Sequence, residues 1–301
     1  MNRMGTTILT VGVALLIGLT LFSCTEGTKS VKLRFKFEAG DSFEYHQTTR
    51  GIVRAHDTDT DKLLNDEYSE VEMDIQLQVE KILEDSTAEI IEAKTYTKRM
   101  RNMLDTTTTD TIKTEPMEAS RLIKYLTPRG GIVDLEFVSD TNRNEIQYLK
   151  DYYRQGLPEF PEREIAQGES WTQTTKVILP DGPVDASTTY TIKGFSRERG
   201  YDCVIIEYDG VSIIPLIPAV HETYEIVKGT DKIISKGHLY FAYKEGAIVM
   251  INERWVLDSD RIIVKLAAKE DSDYKVGDTA RMNIGIEYDV DYHIVKMAHA
   301  D

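Results

Sequence analysis

Three aspartates at alternate positions, Asp57, Asp59 and Asp61, have a type and spacing that could bind a metal ion. Acidic residues at this spacing begin the calcium loop of EF-hand proteins, where oxygen atoms bind the ion. That loop needs a glycine at its sixth position and a glutamate at its twelfth, and this sequence has Lys62 and Tyr68 there. The run therefore predicts a solvated acidic hairpin tip, with weak calcium binding left open.

The other titratable side chains form no recognisable catalytic or metal-binding pattern. His221-Glu222 is not followed by a second histidine at helical spacing, so a zinc-protease motif is absent. There is also no G-x-S-x-G nucleophile elbow and no glycine loop that could cradle phosphates. We expect no metal, no cofactor and no catalytic residue. No histidine pair has metal-ligand spacing with a third ligand close by among His46, His56, His221, His238, His293 and His299.

The residues before Cys24 form a long uncharged run that ends at this cysteine. No charged side chain occurs from Met4 to Thr25, and this length would also suffice for a membrane-spanning helix of about 20 residues. Arg3 supplies a positive start, and the small Ser23 directly precedes the cysteine. This is the layout of a removable export signal.

This N-terminal stretch resembles the lipobox of bacterial lipoproteins, in which cleavage falls before a cysteine that then carries acyl chains such as palmitate. The resemblance implies a signal peptide over 1–23, lipidation of Cys24 and a short tether over 24–30. Several acyl chains on one residue anchor firmly, since each buried methylene contributes roughly 0.8 kcal/mol. Thr25 stands where an aspartate would retain a lipoprotein in the inner membrane, which implies the outer membrane, on its periplasmic or surface face. A retained membrane helix and a chance cysteine are the alternatives.

The composition of the chain argues against one class of binding partner, nucleic acids. The chain has 301 residues and a net charge of −15, so it repels phosphate backbones, and we expect no nucleic-acid partner. Its length suffices for one large or two modest domains. The only other cysteine, Cys203, lies in a β-rich run, which predicts a small buried strand residue and no disulfide framework.

Alternation of apolar and polar residues dominates the remaining chain. Val31, Leu33, Phe35 and Phe37 fall on one side of an extended segment, and many later segments repeat this period of two. The pattern is typical of antiparallel sheets with one buried and one wet face. We predict a mainly β fold of strongly twisted antiparallel sheets or half-barrels. Further predicted strands include "EVEMDIQLQVEKI", "TTYTIKGF", "GHLYFAYK", "IVMINERWVL", "RIIVKLAAK" and "MNIGIEYDVDYHIVKM".

Three weak internal matches keep the same order along the chain and predict two related β halves. They pair 37–48 with 164–175, 77–93 with 190–208, and 125–137 with 240–253. We place the first half at 31–140 and the second at 159–301, with a C-terminal hairpin from 258 onward. A helical connector over 141–158, with one helix near 141–155, lies between them. Two polar segments, 54–67 and 105–116, are expected to be mobile loops.

The segment "VSIIPLIPAV" (211–220) is the most unusual. It is apolar, and Pro215 and Pro218 argue against a normal central strand. We predict a loop that covers the core, lines the mouth of an apolar pocket, or docks on a partner or a bilayer. Trp171 and Trp255 are predicted core anchors, with pocket lining as the alternative. The candidate contact residues are Ile213, Ile214, Leu216, Ile217, Trp171 and Trp255.

With Cys24, "AGDSFEY", "QGESW", "YTIKG" and "KEGAIV" in place, the chain resembles an uncharacterised family of bacterial lipoproteins. A weaker likeness in architecture is to curved-sheet lipoprotein carriers and lipid-binding lipoproteins, in which an unclosed barrel wraps an apolar cavity. These resemblances imply a non-catalytic, lipid-anchored envelope protein that holds an apolar ligand in a concave sheet. A structural or accessory partner in an envelope complex is the alternative, and an extracytoplasmic enzyme is third.

Overall fold

The computed structural model describes residues 29–104, 120–137, 157–179, 182–216, 219–220, 224–265 and 275–299. Within these ranges the chain forms strands and turns and no helix, which confirms the predicted mainly β, antiparallel fold. The predicted helix near 141–155, the predicted loop 105–116, the predicted signal peptide 1–23 and residues 24–28 of the predicted tether lie outside the described residues. The strands are β1 (Ser30–Val31), β2 (Ser42–Asp57), β3 (Lys62–Ile82), β4 (Ala88–Asn102), β5 (Ser120–Leu126), β6 (Ile132–Phe137), β7 (Ile165–Ala166), β8 (Ser170–Leu179), β9 (Gly182–Glu198), β10 (Tyr201–Pro215), β11 (Ala219–Val220), β12 (Tyr224–Ala242), β13 (Ala247–Lys265) and β14 (Thr279–Ala298).

One large curved sheet contains nearly all of these strands and is not closed. Its order is β6-β5-β4-β3-β2-β14-β13-β12-β10-β9-β8, every described pairing is antiparallel, and β11 pairs with the end of β12. Most neighbours in the sheet are also neighbours in sequence, whereas β14 pairs with β2 and thereby joins the two ends of the chain. At a rise of about 3.3 Å per residue, the 21 residues of β3 span roughly 70 Å.

The main core occupies one end of this sheet, on the face that we call the core face. Its aromatic centre is Phe35, Phe160 and Phe241, whose ring centroids lie 4.8 to 5.4 Å apart. Phe160 and Phe241 are fully buried. Phe160 and Phe35 belong to connecting segments that cross over the strands, so this end has a second layer.

The strand predicted to begin at Val31 is largely absent from the structure. Residues 31–37 alternate between buried and exposed as predicted, but only Ser30 and Val31 belong to a ladder. Beyond it, the N–H of Phe35 donates to the carbonyl of Pro128 over 2.7 Å, and that of Lys36 donates to the carbonyl of Gly246 over 3.1 Å. The segment therefore crosses two hairpin turns instead of lying beside a strand.

The prediction of a mobile loop over 54–67 is also corrected, because these residues form the hairpin between β2 and β3. Asp57 is buried, and its Oδ1 accepts hydrogen bonds from the N–H groups of Asp59 and Thr60 over 2.9 and 3.1 Å. Asp61 supplies the positive φ, 54°, that a tight turn needs. Local side-chain bonding replaces the apolar burial that this segment lacks. The acidic run is thus a hairpin tip.

The predicted start of the C-terminal hairpin, at residue 258, falls inside a strand of the structure. "IVMINERWVL" and "RIIVKLAAK" form one continuous strand, β13, which starts at Ala247 and runs to Lys265. The hairpin was expected from Asp258 onward, but Asp258 and Asp260 are exposed residues of an uninterrupted strand, and Ser259 between them is buried. The hairpin with β14 therefore contributes two of the central strands of the sheet.

The turns before β2 and β8 share one hydrogen-bond pattern, which supports two related halves. Each contains a glycine at positive φ, and the next residue is an acid whose carboxylate accepts the N–H three residues earlier. In each, the glycine N–H and the carbonyl of the acid bond to one residue of the second strand after the turn, β3 or β9, over 2.8 to 3.0 Å. The boundaries of the halves stay a prediction. The equivalent residues are Gly40, Asp41 and Val79 in the first half, and Gly168, Glu169 and Ile192 in the second.

A buried ion cluster stabilises the first half. Glu92 in β4 accepts a hydrogen bond from Lys124 in β5, and its other oxygen lies 2.8 Å from Nζ of Lys94. Burial alone would raise the pKa of Glu92, but the two lysines lower it. Burial lowers the pKa of Lys124, against the effect of Glu92.

Replacing Glu92→Gln should destabilise the protein by about 3–5 kcal/mol, because a buried ammonium group loses its carboxylate. Urea unfolding measures this loss. The double variant Glu92→Gln/Lys124→Met should recover part of it. Glu287→Gln, which breaks the exposed Arg254–Glu287 pair, is the control and should change stability little. If Glu92→Gln and Glu287→Gln changed the free energy of unfolding equally, the assignment of a buried, stabilising ion cluster would be wrong.

Candidate functional site

The core face continues as an apolar surface well beyond the main core. Strand alternation and the ladders of β13, β14 and β2 place several large apolar residues on that face toward the far end of the strands. The described strands make extensive contacts only with the strands to which they are hydrogen-bonded. No second sheet among the described residues therefore packs against this region. We call this surface the distal apolar face. It consists of the partly buried Val53, Trp255, Ile284, Ile286 and Tyr288 and of Leu257, which is buried.

Trp255 and Tyr288 form the centre of the distal apolar face. They lie directly opposite each other in β13 and β14, with stacked rings whose centroids are 5.7 Å apart. Tyr288 in turn lies over Gly51 of β2, where a Cβ atom would come within 2.2 Å of the ring. Both aromatic side chains are only partly buried. Trp255 is therefore outside the main core, at a place where it could contact a ligand.

Glu253 lies where the packed core ends and the distal apolar face begins. It follows the core residue Ile251 on the same face and precedes Trp255. Tyr208 of β10 reaches it across Gly237, where a Cβ atom would lie 2.8 Å from the Tyr208 hydroxyl oxygen. Burial raises the pKa of Glu253 to about 7, and the hydrogen bond from Tyr208 opposes this shift.

An aromatic row leads from the core to Glu253. Trp171 stacks on Tyr190 at 5.1 Å, and Tyr190 contacts Tyr208 at 6.0 Å. Trp171 also meets Phe160 edge-on at 6.3 Å and packs against the main core, as expected for a core anchor. Its indole N–H is buried without a hydrogen-bond partner among the described residues.

The opposite face is polar and carries a groove of about 720 Å³. The groove crosses β10, β12, β13, β14 and β2, and backbone forms its floor around Gly237. A second cavity of about 580 Å³ lies nearer the far end of the strands, between His56 and Arg281. Both cavities described here are polar, so neither is the apolar cavity expected from the sequence. The side chains that share the face of the first groove are Thr48, Arg50, Glu207, Asp209, Lys236, His238, Asn252, Arg254, Asp289 and Asp291.

Two histidines meet on the polar face beside this groove. His46 and His293 lie opposite each other, with ring centroids 5.6 Å apart. Their Nδ1 atoms lie 2.8 and 2.9 Å from carboxylate oxygens of Asp74 and Asp291. Across the described ranges, however, no group of three or more histidine, cysteine or acidic side chains is placed to hold a metal ion. Each histidine is thus accounted for by its carboxylate partner.

The segment 211–220 begins as strand, which corrects the predicted loop. Val211–Pro215 completes β10, and Pro215 pairs with Thr230 of β12. The ladder with β9 has ended by then, at Ser212, so the missing N–H of Pro215 faces no described strand.

The candidate contact residues of this segment have separate environments. Ile213 is 53% exposed on the polar face, and Val220 of β11 is 72% exposed. Leu216 packs against a small cluster with Ile226 and Ile263, and its N–H donates to the carbonyl of Gly229 over 2.9 Å. Ile217 and the side chain of Ile214 lie outside what the structure describes.

Cys203 is fully buried in β10, and burial raises its pKa to about 11. A thiol in this environment is a poor nucleophile. The sequence-based interpretation as a small buried strand residue is confirmed.

The sequence missed Glu253, although a signal was present. In "IVMINERWVL" the alternate residues Val249, Ile251, Trp255 and Leu257 are apolar, and Glu253 alone interrupts them. A single acid on the apolar side of a strand is unusual, because its burial carries a free-energy cost.

Comparisons with known proteins identify no family. No protein-family model matches the chain, and no curated protein matches it. Across the described residues, no helix is long and apolar enough to cross a bilayer.

Two solved structures show a slight likeness. One is lipovitellin, solved to describe its lipid–protein interactions, with 10% identity and a TM-score of 0.46 over 88% of this chain. This chain spans only 26% of the lipovitellin chain. The other is an outer membrane channel from Pseudomonas putida F1, with 10% identity and a TM-score of 0.26, covering 86% of this chain and 97% of that one. Neither likeness is close enough to carry a functional argument.

The raised pKa of Glu253 predicts a pH-dependent stability. The folded protein holds this proton more tightly than the unfolded chain, whose carboxyl has the ordinary value of 4.5. The stabilisation is complete below that value and is lost as the pH rises toward 7.

Glu253→Gln imitates the protonated carboxyl. It should therefore gain on the order of 2–3 kcal/mol over the unmodified protein at pH 8 and almost nothing at pH 4. Urea unfolding at both pH values provides the measurement, with Glu84→Gln at an exposed turn as the control. A pH-independent difference would show that Glu253 is not held in an apolar environment.

Proposed function

We propose that this protein is a non-catalytic, lipid-anchored binding module of the cell envelope whose distal apolar face holds an apolar ligand. The observation that carries the proposal is the partial exposure of Trp255 and Tyr288 on the face that forms the core elsewhere. Apolar surface of this kind marks interaction sites. A ligand that covers it gains about 25 cal/mol for each square ångström of apolar area removed from water.

The geometry favours an elongated, flexible ligand over a compact one. Trp255, Tyr288 and Ile286 follow the strands of an open sheet and do not line an enclosed pocket. A surface of this shape is best covered by an alkyl chain. Each methylene buried there contributes about 0.8 kcal/mol.

A partner-docking role is the second candidate, and exposed residues of 211–220 favour it. Ile213 and Val211 are 53% and 44% exposed on the polar face, and Val220 is 72% exposed. A protein partner in the envelope would bury these residues, whereas a ligand on the distal apolar face would leave them exposed. Protection of Val211 and Ile213 in native envelope extracts would favour this second role.

The proposed anchor on Cys24 can be tested by mass. The mature protein should begin at residue 24 and carry added acyl mass there, and it should partition with the outer membrane. Cys24→Ser should abolish the acyl mass and release the protein from the membrane fraction. Mass spectrometry of the N-terminal peptide provides the measurement. A mature chain that begins at residue 1 would contradict the anchor.

Ligand contact at the distal apolar face can be tested by tryptophan quenching. A bromine-labelled alkyl alcohol such as 12-bromododecanol should quench Trp255 strongly in the Trp171→Phe variant, because the bromine would lie against the indole. The same probe should quench Trp171 weakly in Trp255→Phe, because Trp171 packs against the main core and meets Phe160 edge-on. Fluorescence titration of both variants measures the difference. No quenching of Trp255 at any soluble concentration of the probe would count against the proposed function.

A further inference from the structure

Glu253 is an acid whose surroundings contain no described cation. None of the described ion pairs includes it, and burial and the Tyr208 hydroxyl account for its shifted pKa. The nearest basic residues along and beside its strand, Arg254 and Lys236, point to the opposite face by strand alternation. The titratable groups at neighbouring positions of its face are tyrosines: Tyr190, Tyr208, Tyr288 and Tyr292. The Glu92, Lys94 and Lys124 cluster lies on the same face several strands away, and the Asp231–Arg261 pair lies farther along the strands by register.

This lack of a cation is unusual for a partly buried acid on the apolar side of a sheet. Buried carboxylates are normally paired with a positive charge, as Glu92 is with Lys94 and Lys124 in this same sheet. Glu253 instead lies at the inner end of the distal apolar face, with Trp255 two residues farther along β13. A cation that reached this carboxylate would come with apolar material beside it.

We infer that Glu253 and Tyr208 form the head-group site of the distal apolar face, and that its ligand is a long-chain primary amine. The inference rests on the proposed function and specifies its ligand class. The alkyl chain would lie along Trp255 and Tyr288, and the ammonium group would donate a hydrogen bond to the Glu253 carboxylate. Charge-assisted bonds of this kind are stronger than those between neutral groups.

The charge balance predicts a proton-linked affinity. An ammonium group binds the ionised carboxylate, so binding at neutral pH releases the proton that Glu253 holds in the free protein. Amine affinity should therefore rise between pH 5 and pH 8 and then level off. A neutral alcohol should show no such rise.

The test compares three probes of equal chain length, dodecylamine, dodecanol and dodecanoic acid, below their critical micelle concentrations. The mature chain from residue 24, carrying Cys24→Ser, is titrated with each probe by calorimetry at pH 8. We expect dodecylamine to bind about tenfold more tightly than dodecanol, and dodecanoic acid to bind most weakly. Titration at pH 7 in two buffers of different ionisation enthalpy should show proton release for the amine alone.

Two variants separate this site from general attraction to an acidic protein. Glu253→Gln should reduce amine affinity to that of dodecanol and abolish proton release. Asp289→Asn removes an equal charge from the polar face and should leave the preference for amine intact. Tyr208→Phe should weaken the preference severalfold.

The outcomes distinguish the inference from the proposed function. If all three probes bind equally, or if Glu253→Gln keeps the amine preference, the head-group assignment is wrong and the binding function survives. If none of the three binds, the proposed function fails, and the inference fails with it.

Discussion

A single antiparallel sheet must place alternate side chains on opposite faces along its whole length, and this constraint determines most of the structure. One face is charged from end to end. The other is largely apolar, and the described connecting segments that carry Phe35 and Phe160 cover its main-core end. The strands therefore extend farther than the core that they support, which leaves Trp255 and Tyr288 partly exposed.

The crossing segments explain why the two ends of the sheet differ. Phe35 and Phe160 enter the core from chain that is not part of the large sheet, and both fill space against Phe241. Backbone hydrogen bonds hold the first segment to the turns at Pro128 and Gly246. These turns lie at corresponding positions in the two predicted halves, so the single segment 31–37 contacts and stabilises both of them. In the sheet itself, β14 joins the predicted halves through its ladders with β13 and β2, which run from the main core toward the opposite end of the strands.

Much of this fold could be predicted from alternation alone, since a period of two identifies strands wherever one face is buried. The errors arose where local chemistry or neighbours override that pattern. The segment 31–37 alternates but crosses over the sheet, and alternation cannot tell an isolated extended segment from a ladder. Residues 54–67 are polar, yet side-chain bonds of Asp57 order their turn. Pro215 was expected to exclude a strand, but the ladder between β10 and β9 ends before it, at Ser212. The missing N–H of Pro215 therefore breaks no described hydrogen bond.

The candidate site was harder to predict than the fold. Trp255 was identified as a candidate contact, but nothing in the sequence could place it beyond the packed end of the core. Glu253 was overlooked because acids are frequent in this chain, and its significance depends on which side of β13 it occupies. Tyr208 reaches Glu253 because Gly237 lies between them, and such cross-strand relations follow from register rather than from local sequence.

The central claim is that the core face is tightly packed around Phe160 and Phe241 but only partly covered at Trp255 and Tyr288. Hydroxyl-radical footprinting of the ligand-free protein, read by mass spectrometry, tests it most directly. The account predicts rapid oxidation of Trp255 and Tyr288, and near-complete protection of Phe160 and Phe241. Equal protection of all four side chains would contradict it, because a covered distal face could not receive a ligand.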